Sequence, residues 1–472
     1  MIIKIFNTLS RKEEALTVLE PEHLKMYVCG PTVYDRPHLG NARSAVVYDL
    51  FFRFFQRVYP RVTYVRNITD VDDKINLAAK ERRISISELT KEVTNIFHQD
   101  MDALHVLRPT IEPRATAHIA EMIEMIEKLI KAGNAYVADG HVLFDIKSYK
   151  DYGMLSRRSL DEMIAGSRVE VASYKKDPLD FVLWKPANEG DDHSSIFASP
   201  WGSGRPGWHI ECSAMSSRYL GADFDVHGGG ADLQFPHHEN EIAQSRCANA
   251  SSHYARFWIH NGFLTVEGEK MSKSLKNFIT VRDLLDKNID GIAIRYLLLA
   301  THYRKPFDYN QKTLDDAKKS IEKFYAIFDE NDLLQYRANQ SSNLETSHLM
   351  QSILRDLADD LNAAKVFALL HAEVLEIKLE HNKKLKNDFI AALDFLGLLD
   401  DNFFVKHSKN NVDENYIIEQ IALRAQAKTH KDWALADKIR NDLLLQNIVL
   451  EDINDKDEKG VKITKTIWKI LG

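Results

Sequence analysis

No run of eighteen or so apolar residues occurs in the 472-residue chain, and the opening Met1-Ile2-Ile3-Lys4-Ile5-Phe6 is far shorter than a secretory h-region. These absences predict a soluble protein that is not exported and has no membrane partner. Cysteine is scarce. Cys29, Cys212 and Cys247 are too few and too widely spaced for a disulfide framework, which points to a reducing, cytoplasmic setting. A basic excess is also missing: with a net charge of −7 the chain has no general coat of lysine and arginine to neutralise phosphates, although a local patch on an acidic protein still suits RNA. The remainder, 44% hydrophobic and 28% charged residues, is globular in composition and too long for one core, so two to four domains are expected.

The first 300 residues read as alternating strand and helix. Leu24 to Val28 and Val62 to Ile68 are β-rich runs with a helix from Ala42 to about Arg57 between them, which predicts a parallel pair with a right-handed crossover. Ligands bind at the carboxyl ends of such strands, where Cys29-Gly30 and Thr69-Asp70 fall. A helical, then mixed stretch from Arg114 to Trp201 reads as an insertion. The sheet resumes at Phe224 to His227, followed by Gly228-Gly229-Gly230, and again at Phe257 to His260. After Tyr309 apolar residues recur at helical spacing, which predicts a helical bundle with a short mixed tail. The expected fold is α/β: a parallel-sheet nucleotide-binding domain in two halves, 1–113 and 202–260, around an inserted connective domain, 114–201. A lysine-loop region follows at 261–310, then an all-α helical bundle at 311–400 and a C-terminal domain at 401–472. Asp455-Lys456-Asp457-Glu458-Lys459 reads as an exposed loop.

Two short words carry chemistry. Pro37-His38-Leu39-Gly40-Asn41 follows a strand and opens a helix, where backbone N–H groups and the helix dipole favour phosphate. Glu269-Lys270-Met271-Ser272-Lys273-Ser274 is a cationic loop whose lysines suit charge building on a phosphate as pyrophosphate leaves. Together they read as an ATP site that activates a carboxylate by adenylation. A third constellation is long-range: Cys29, Cys212, His237 and Glu241 supply two thiolates, an imidazole and a carboxylate, a donor set that suits zinc in number and type. His237 and Glu241, four apart, share a helix face. The plainer alternative is two buried cysteines and a helix-start histidine. Cys247 reads as core, and Asp70, Asp72 and Asp73 as loop and helix-start groups rather than a magnesium cluster.

The segments Met26–Asp35, Tyr64–Lys74, Gly204–Met215, His227–Leu233 and Phe235–Ser245 resemble the cysteinyl-tRNA synthetase family of class I aminoacyl-tRNA synthetases, almost end to end. The resemblance implies a Rossmann-type catalytic domain. It also implies one zinc ion on Cys29, Cys212, His237 and Glu241, with the substrate thiolate as a further ligand. Such an ion discriminates cysteine from serine far better than shape does. Gly30, Thr69 and Trp208 would line the cysteine pocket, and Asp232 would lie near the adenylate unless it caps the following helix. His38, Gly40, Asn41, Lys270 and Lys273 would bind ATP, with His38, Asn41 and the two lysines acting in catalysis and Mg²⁺ accompanying ATP. Asn41 stands where the family often has a second histidine, and Lys276 where a glycine is usual.

By the same resemblance the helical end binds tRNA(Cys). Arg424, Lys428, Lys431, Lys438 and Arg440 are the phosphate-contact candidates, and Trp433 or Trp468 the stacking candidates. The tail Lys459 to Trp468 departs from the family, and amphipathic helices carry basic residues on solvent faces anyway. The function implied is attachment of cysteine to tRNA through a cysteinyl-adenylate, by a monomer. The rivals are a cysteine ligase of thiol biosynthesis with an amino-sugar acceptor, and a non-catalytic RNA-binding paralogue.

Overall fold

Strands buried on both faces need helices above and below, and four such strands form the centre of this computed structural model. It describes residues 1–158, 172–189, 191–249, 253–271, 277–338, 347–380, 382–408, 414–444, 448–456 and 462–470. The chain divides into two compact units, Met1–Leu399 and Asp400–Gly472.

In the first unit the parallel sheet has the order Ala255–Asn261, Phe224–Gly230, His23–Val28, Arg61–Arg66. The 20-residue helix Leu39–Val58 makes the first crossover and buries Phe51, Phe52, Phe54 and Phe55. Two details depart from expectation. The second strand ends at Arg66, which leaves Asn67 and Thr69 to turn into the site. The third runs on through Gly230 instead of stopping before its glycines. Tyr48 explains this: a Cβ on Gly228 would lie 2.3 Å from the Tyr48 ring, and the Tyr48 hydroxyl bonds the Gly229 N–H and the carbonyls of Gly229 and Ile259.

Residues 114–201 contribute the helix Ile119–Lys131 and most of a four-stranded antiparallel sheet, Ala135–Ala138, His141–Phe144, Phe181–Pro186 and Gly204–Pro206. That sheet reaches past Trp201. Its partner strands enclose Gly204 so closely that a Cβ would lie 2.2 Å from the Lys185 carbonyl oxygen. The helices Gln311–Tyr325, Glu330–Ala338, His348–Leu357, Ala363–Glu380 and Lys383–Phe395 complete this unit. Its first strand, Lys4–Asn7, is stitched to their connectors: Lys4 N–H donates to Ala358 O and Phe6 N–H to Asp360 Oδ1, at 2.8 and 2.9 Å. Among the described residues no helix is long and apolar enough to cross a membrane.

A buried ion cluster ties the first long helix to the rest. Asp49 bonds the Arg295 guanidinium, Arg53 Nε at 2.8 Å and the Leu107 N–H at 2.7 Å. Burial pushes the Asp49 carboxyl up, but Arg295 and Arg53 hold it below the ordinary value. Asp49→Ala strands a buried guanidinium and is expected to cost about 3–5 kcal/mol in urea unfolding. Because the folded pKa is depressed, this contribution is present above the unfolded value near 3.8 and is lost as pH falls through the folded one.

The second unit holds the helices Phe403–Ser408, Glu414–Thr429 and Trp433–Leu444 and an antiparallel hairpin, Ile448–Lys456 with Lys462–Ile470. Ile417, Ile439, Leu443, Ile448 and Leu450 form its core, and Trp468 packs against them. Trp468, a stacking candidate above, is partly buried against this core. Asp455 and Lys456 end a strand, and 457–459 lie outside the described residues.

Candidate functional site

Cys29 follows the strand His23–Val28, Cys212 lies in the helix Trp208–Leu220, and Glu241 lies in the first turn of Glu239–Ala248. His237 precedes that last helix, in a turn kinked at Phe235. The four donor atoms converge within 4.8 Å of one another. Cys29 Sγ is 3.7 Å from Cys212 Sγ and 3.4 Å from Glu241 Oε1, and His237 Nε2 is 3.1 Å from the same oxygen. A tetrahedral zinc ion with sulfur at about 2.3 Å and nitrogen or oxygen at about 2.0–2.1 Å spaces two sulfurs about 3.8 Å apart and nitrogen from oxygen about 3.4 Å. The donors fit that spacing.

The buried set shares protons that a bound cation would displace. The hydrogen bond from Cys29 outweighs burial and brings Cys212 down to about 6, whereas burial, with Cys212 and Glu241 alongside, pushes Cys29 well up. Burial opposes a charged His237, yet Glu241 and Cys212 carry it up to about 10. Burial would raise Glu241 too, but His227 and His237 hold it well below the ordinary carboxylate range. Ligation requires deprotonated donors, so a bound cation takes the place of these protons.

A histidine shell surrounds this set, and the sequence reading missed it. His227 Nε2 is 2.8 Å from Glu241 Oε2, His238 Nε2 is 3.3 Å from Cys29 Sγ, and His238 Nδ1 is 2.8 Å from His260 Nε2. His209 Nδ1 is 2.9 Å from His237 Nδ1. Cys29, His227, His238 and Glu241 form a second convergent donor group. Burial brings His209 and His260 each down to about 3, so both are neutral hydrogen-bonding imidazoles. Such partners orient ligands and fix their tautomers. Cys247 packs against the core, and burial pushes its thiol up to about 11.

Gly30 and Thr69, expected above to line a pocket, adjoin the cluster through Asn67, also missed. Its Oδ1 accepts from Gly30 N–H at 2.9 Å and its Nδ2 donates to Thr69 Oγ1, which donates to Glu211 Oε2. A Cβ on Gly30 would stand 1.5 Å from the Asn67 carbonyl oxygen, so only glycine fits. Trp208 stacks on His237 at 4.1 Å and is 38% exposed, forming an open wall. Asp72 caps the helix Asp73–Arg82, Asp70 binds Thr116, and Asp73 pairs with Arg205 and Lys185, so the three are structural groups.

At the helix start one expectation is corrected. The His38 ring caps the helix itself: Nδ1 accepts from Gly40 N–H at 3.0 Å and Asn41 N–H at 3.3 Å, and Asn41 Oδ1 accepts from His38 N–H. Those backbone donors are therefore not offered to phosphate. The cap fixes the tautomer, with the proton on Nε2, and Asn41 keeps its Nδ2 as donor. Burial lowers His38, while Asp232 and Asp35 act to raise it. Asp232 is exposed in the turn Ala231–Leu233, where it caps no helix.

The two signature words come together. His38 bridges to Thr280, Leu39 N–H donates to Ile279 O, and Met271 Cε lies 3.5 Å from where a Gly40 Cβ would stand. Lys270 ends a hairpin, Leu264–Val266 with Glu269–Lys270, turned by Glu267 and Gly268 at φ 51° and 80°, the left-handed pair such two-residue loops need. Lys273 and Lys276 lie outside the described residues.

In the second unit Lys431, Lys438, Arg440 and Trp433 are exposed. Arg424 is corrected: it is buried and forked onto Asp452 at 2.9 and 3.1 Å, with Lys428 on the same carboxylate at 2.6 Å, so it pins the hairpin to its helix.

Residues 15–319 match the family model described as tRNA synthetases class I (C) catalytic domain. The Cysteine--tRNA ligase of Rickettsia prowazekii (strain Madrid E) is 51% identical over 458 residues, covering 96% of this chain and 98% of the relative. That of Orientia tsutsugamushi (strain Ikeda) is 50% identical over 485 residues and covers the whole of both. Among solved structures, Mycobacterium tuberculosis methionyl-tRNA synthetase in complex with methionyl-adenylate is similar in fold, with a TM-score of 0.52 at 13% identity over 80% of this chain and 90% of that one.

Proposed function

The chain belongs to the cysteine–tRNA ligases of class I, enzymes that attach cysteine to tRNA, and on that premise we propose how its residues divide the work. Cys29, Cys212, His237 and Glu241 hold one zinc ion. When bound, that ion supplies a borderline-soft acid that prefers a thiolate to a serine hydroxyl. Gly30, Thr69 and Trp208 border the amino acid, and the histidine shell keeps the ligands in register. The convergence of those four donors at a strand end is the observation that carries this reading.

ATP, with Mg²⁺, lies at the helix that His38 opens. His38 Nε2–H and Asn41 Nδ2 donate to phosphate, Lys270 and Lys273 follow the triphosphate, and Asp232 faces the ribose or the ammonium group. The cysteine carboxylate attacks the α-phosphorus in line, giving cysteinyl-adenylate and pyrophosphate; a terminal ribose hydroxyl of tRNA(Cys) then attacks the aminoacyl carbonyl, forming the ester and releasing AMP. Positioning and fixed charge supply the catalysis. Residues 114–201 face the acceptor end, and the second unit reads the anticodon end with Lys431, Lys438 and Arg440. The working form is a cytoplasmic monomer.

The test is ATP-dependent transfer of labelled cysteine into acid-precipitable tRNA by zinc-loaded protein. Charging is expected. Transfer to an amino sugar alone, or no transfer, would overturn the reading.

A further inference from the structure

Arg43 is buried one turn into the helix that His38 caps, and no carboxylate pairs with it among the described residues. Four main-chain carbonyls receive it instead. Nη1 donates to Gly262 O at 2.9 Å and Phe263 O at 2.8 Å, and Nη2 to Tyr303 O at 3.4 Å and Lys305 O at 2.6 Å. These acceptors share a location. Gly262 and Phe263 lead into the strand Leu264–Val266, and Tyr303 and Lys305 lead into Phe307–Tyr309, which pairs with it in parallel. The third strand of that small sheet is Glu269–Lys270.

We propose that Arg43 is a positioning residue for adenylation, which fixes the sheet carrying Lys270 against the helix that presents His38. A planar guanidinium has five donors in a fork and meets two neighbouring chain segments at once, whereas an ammonium group is a point charge that does not. Gly262 makes the convergence possible, since a Cβ there would lie 2.5 Å from the Lys305 carbonyl oxygen. The far flank of the lysine word is tied separately, through Leu39 and Ile279, and Arg43 is a tie on the near flank.

This inference rests on the reading that His38 and Lys270 serve one ATP site. Its test is cysteine-dependent ATP–pyrophosphate exchange, expressed per titrated active site, for Arg43→Lys, Lys270→Ala and the double variant, with zinc content and KM for cysteine measured alongside. Arg43→Lys is expected to lower kcat or raise KM for ATP by about tenfold, leaving zinc and KM for cysteine within about twofold. In the Lys270→Ala background its effect should shrink to under about twofold, because residues that act through one group are not additive. A purely structural arginine would lower thermal stability and the count of active sites while leaving the rate per site at the parental value, and that result overturns the proposal. So do multiplicative effects in the double variant. Should Arg43→Lys fail to fold, Gly262→Ala disturbs the same convergence and carries the same two readings. A parent enzyme without exchange removes the functional reading itself, and this inference with it.

Discussion

Cys212→Ser is expected to strip most of the bound zinc and to lower cysteine adenylation by on the order of a hundredfold or more. Losing a group that merely orients a metal ligand already costs about 10–100-fold in affinity, and Cys212 is one of the four donors themselves. Its sulfur lies 3.7 Å from Cys29 Sγ, and its thiolate helps hold the proton on His237. Selectivity should fall as well. With the metal gone, cysteine and serine are told apart by shape and packing alone, which yields about 10–200-fold. Elemental analysis and exchange with each amino acid check this together. Parental zinc content in Cys212→Ser would take the residue out of the metal site.

Changing His38 should give the second large effect, and two substitutions separate its two roles. His38→Ala removes both the cap and the phosphate donor. It is expected to cost about 1 kcal/mol of stability and about a hundredfold or more in kcat for exchange. Asparagine is itself a good cap but too short to replace the ring's Nε2–H. His38→Asn should therefore melt near the parent while losing a similar factor in rate. Parental rates in His38→Asn would reduce His38 to a helix cap.

The parallel sheet was legible because its signals are local, whereas the four donors are spread from Cys29 to Glu241, and only the family resemblance joined their local pieces into one set. A strand followed by Cys29, a histidine before an aromatic helix, and His237 four residues from Glu241 can each be read in place. The histidine shell was less legible: His227 and His260 enter through neighbouring strands whose pairing no short window reveals, and His238 joins them from the turn before Glu239–Ala248. Arg424 shows the limit most plainly. On a helix it looks like any basic surface residue, and only the hairpin, folded back to bring Asp452 against it, shows that its charge is taken. Arg43 is similar, since carbonyls leave no mark in a sequence. The cap at His38 had a cue, because Asn41 three residues on completes a reciprocal capping pair. That cue also fits a phosphate turn, and chemistry at the atom level was needed to separate the two roles.

The bond from Phe6 to Asp360 spans 354 residues. During synthesis at about 5–20 residues per second, the amino-terminal strand emerges and then waits roughly 20–70 s for the carboxylate that receives it. Its other edge pairs at once with Lys12–Ala15, so for that interval one edge of a short hairpin stays open on the nascent chain. The protein's yield in the cell should therefore respond to translation speed and chaperone supply as well as to the stability of the finished fold.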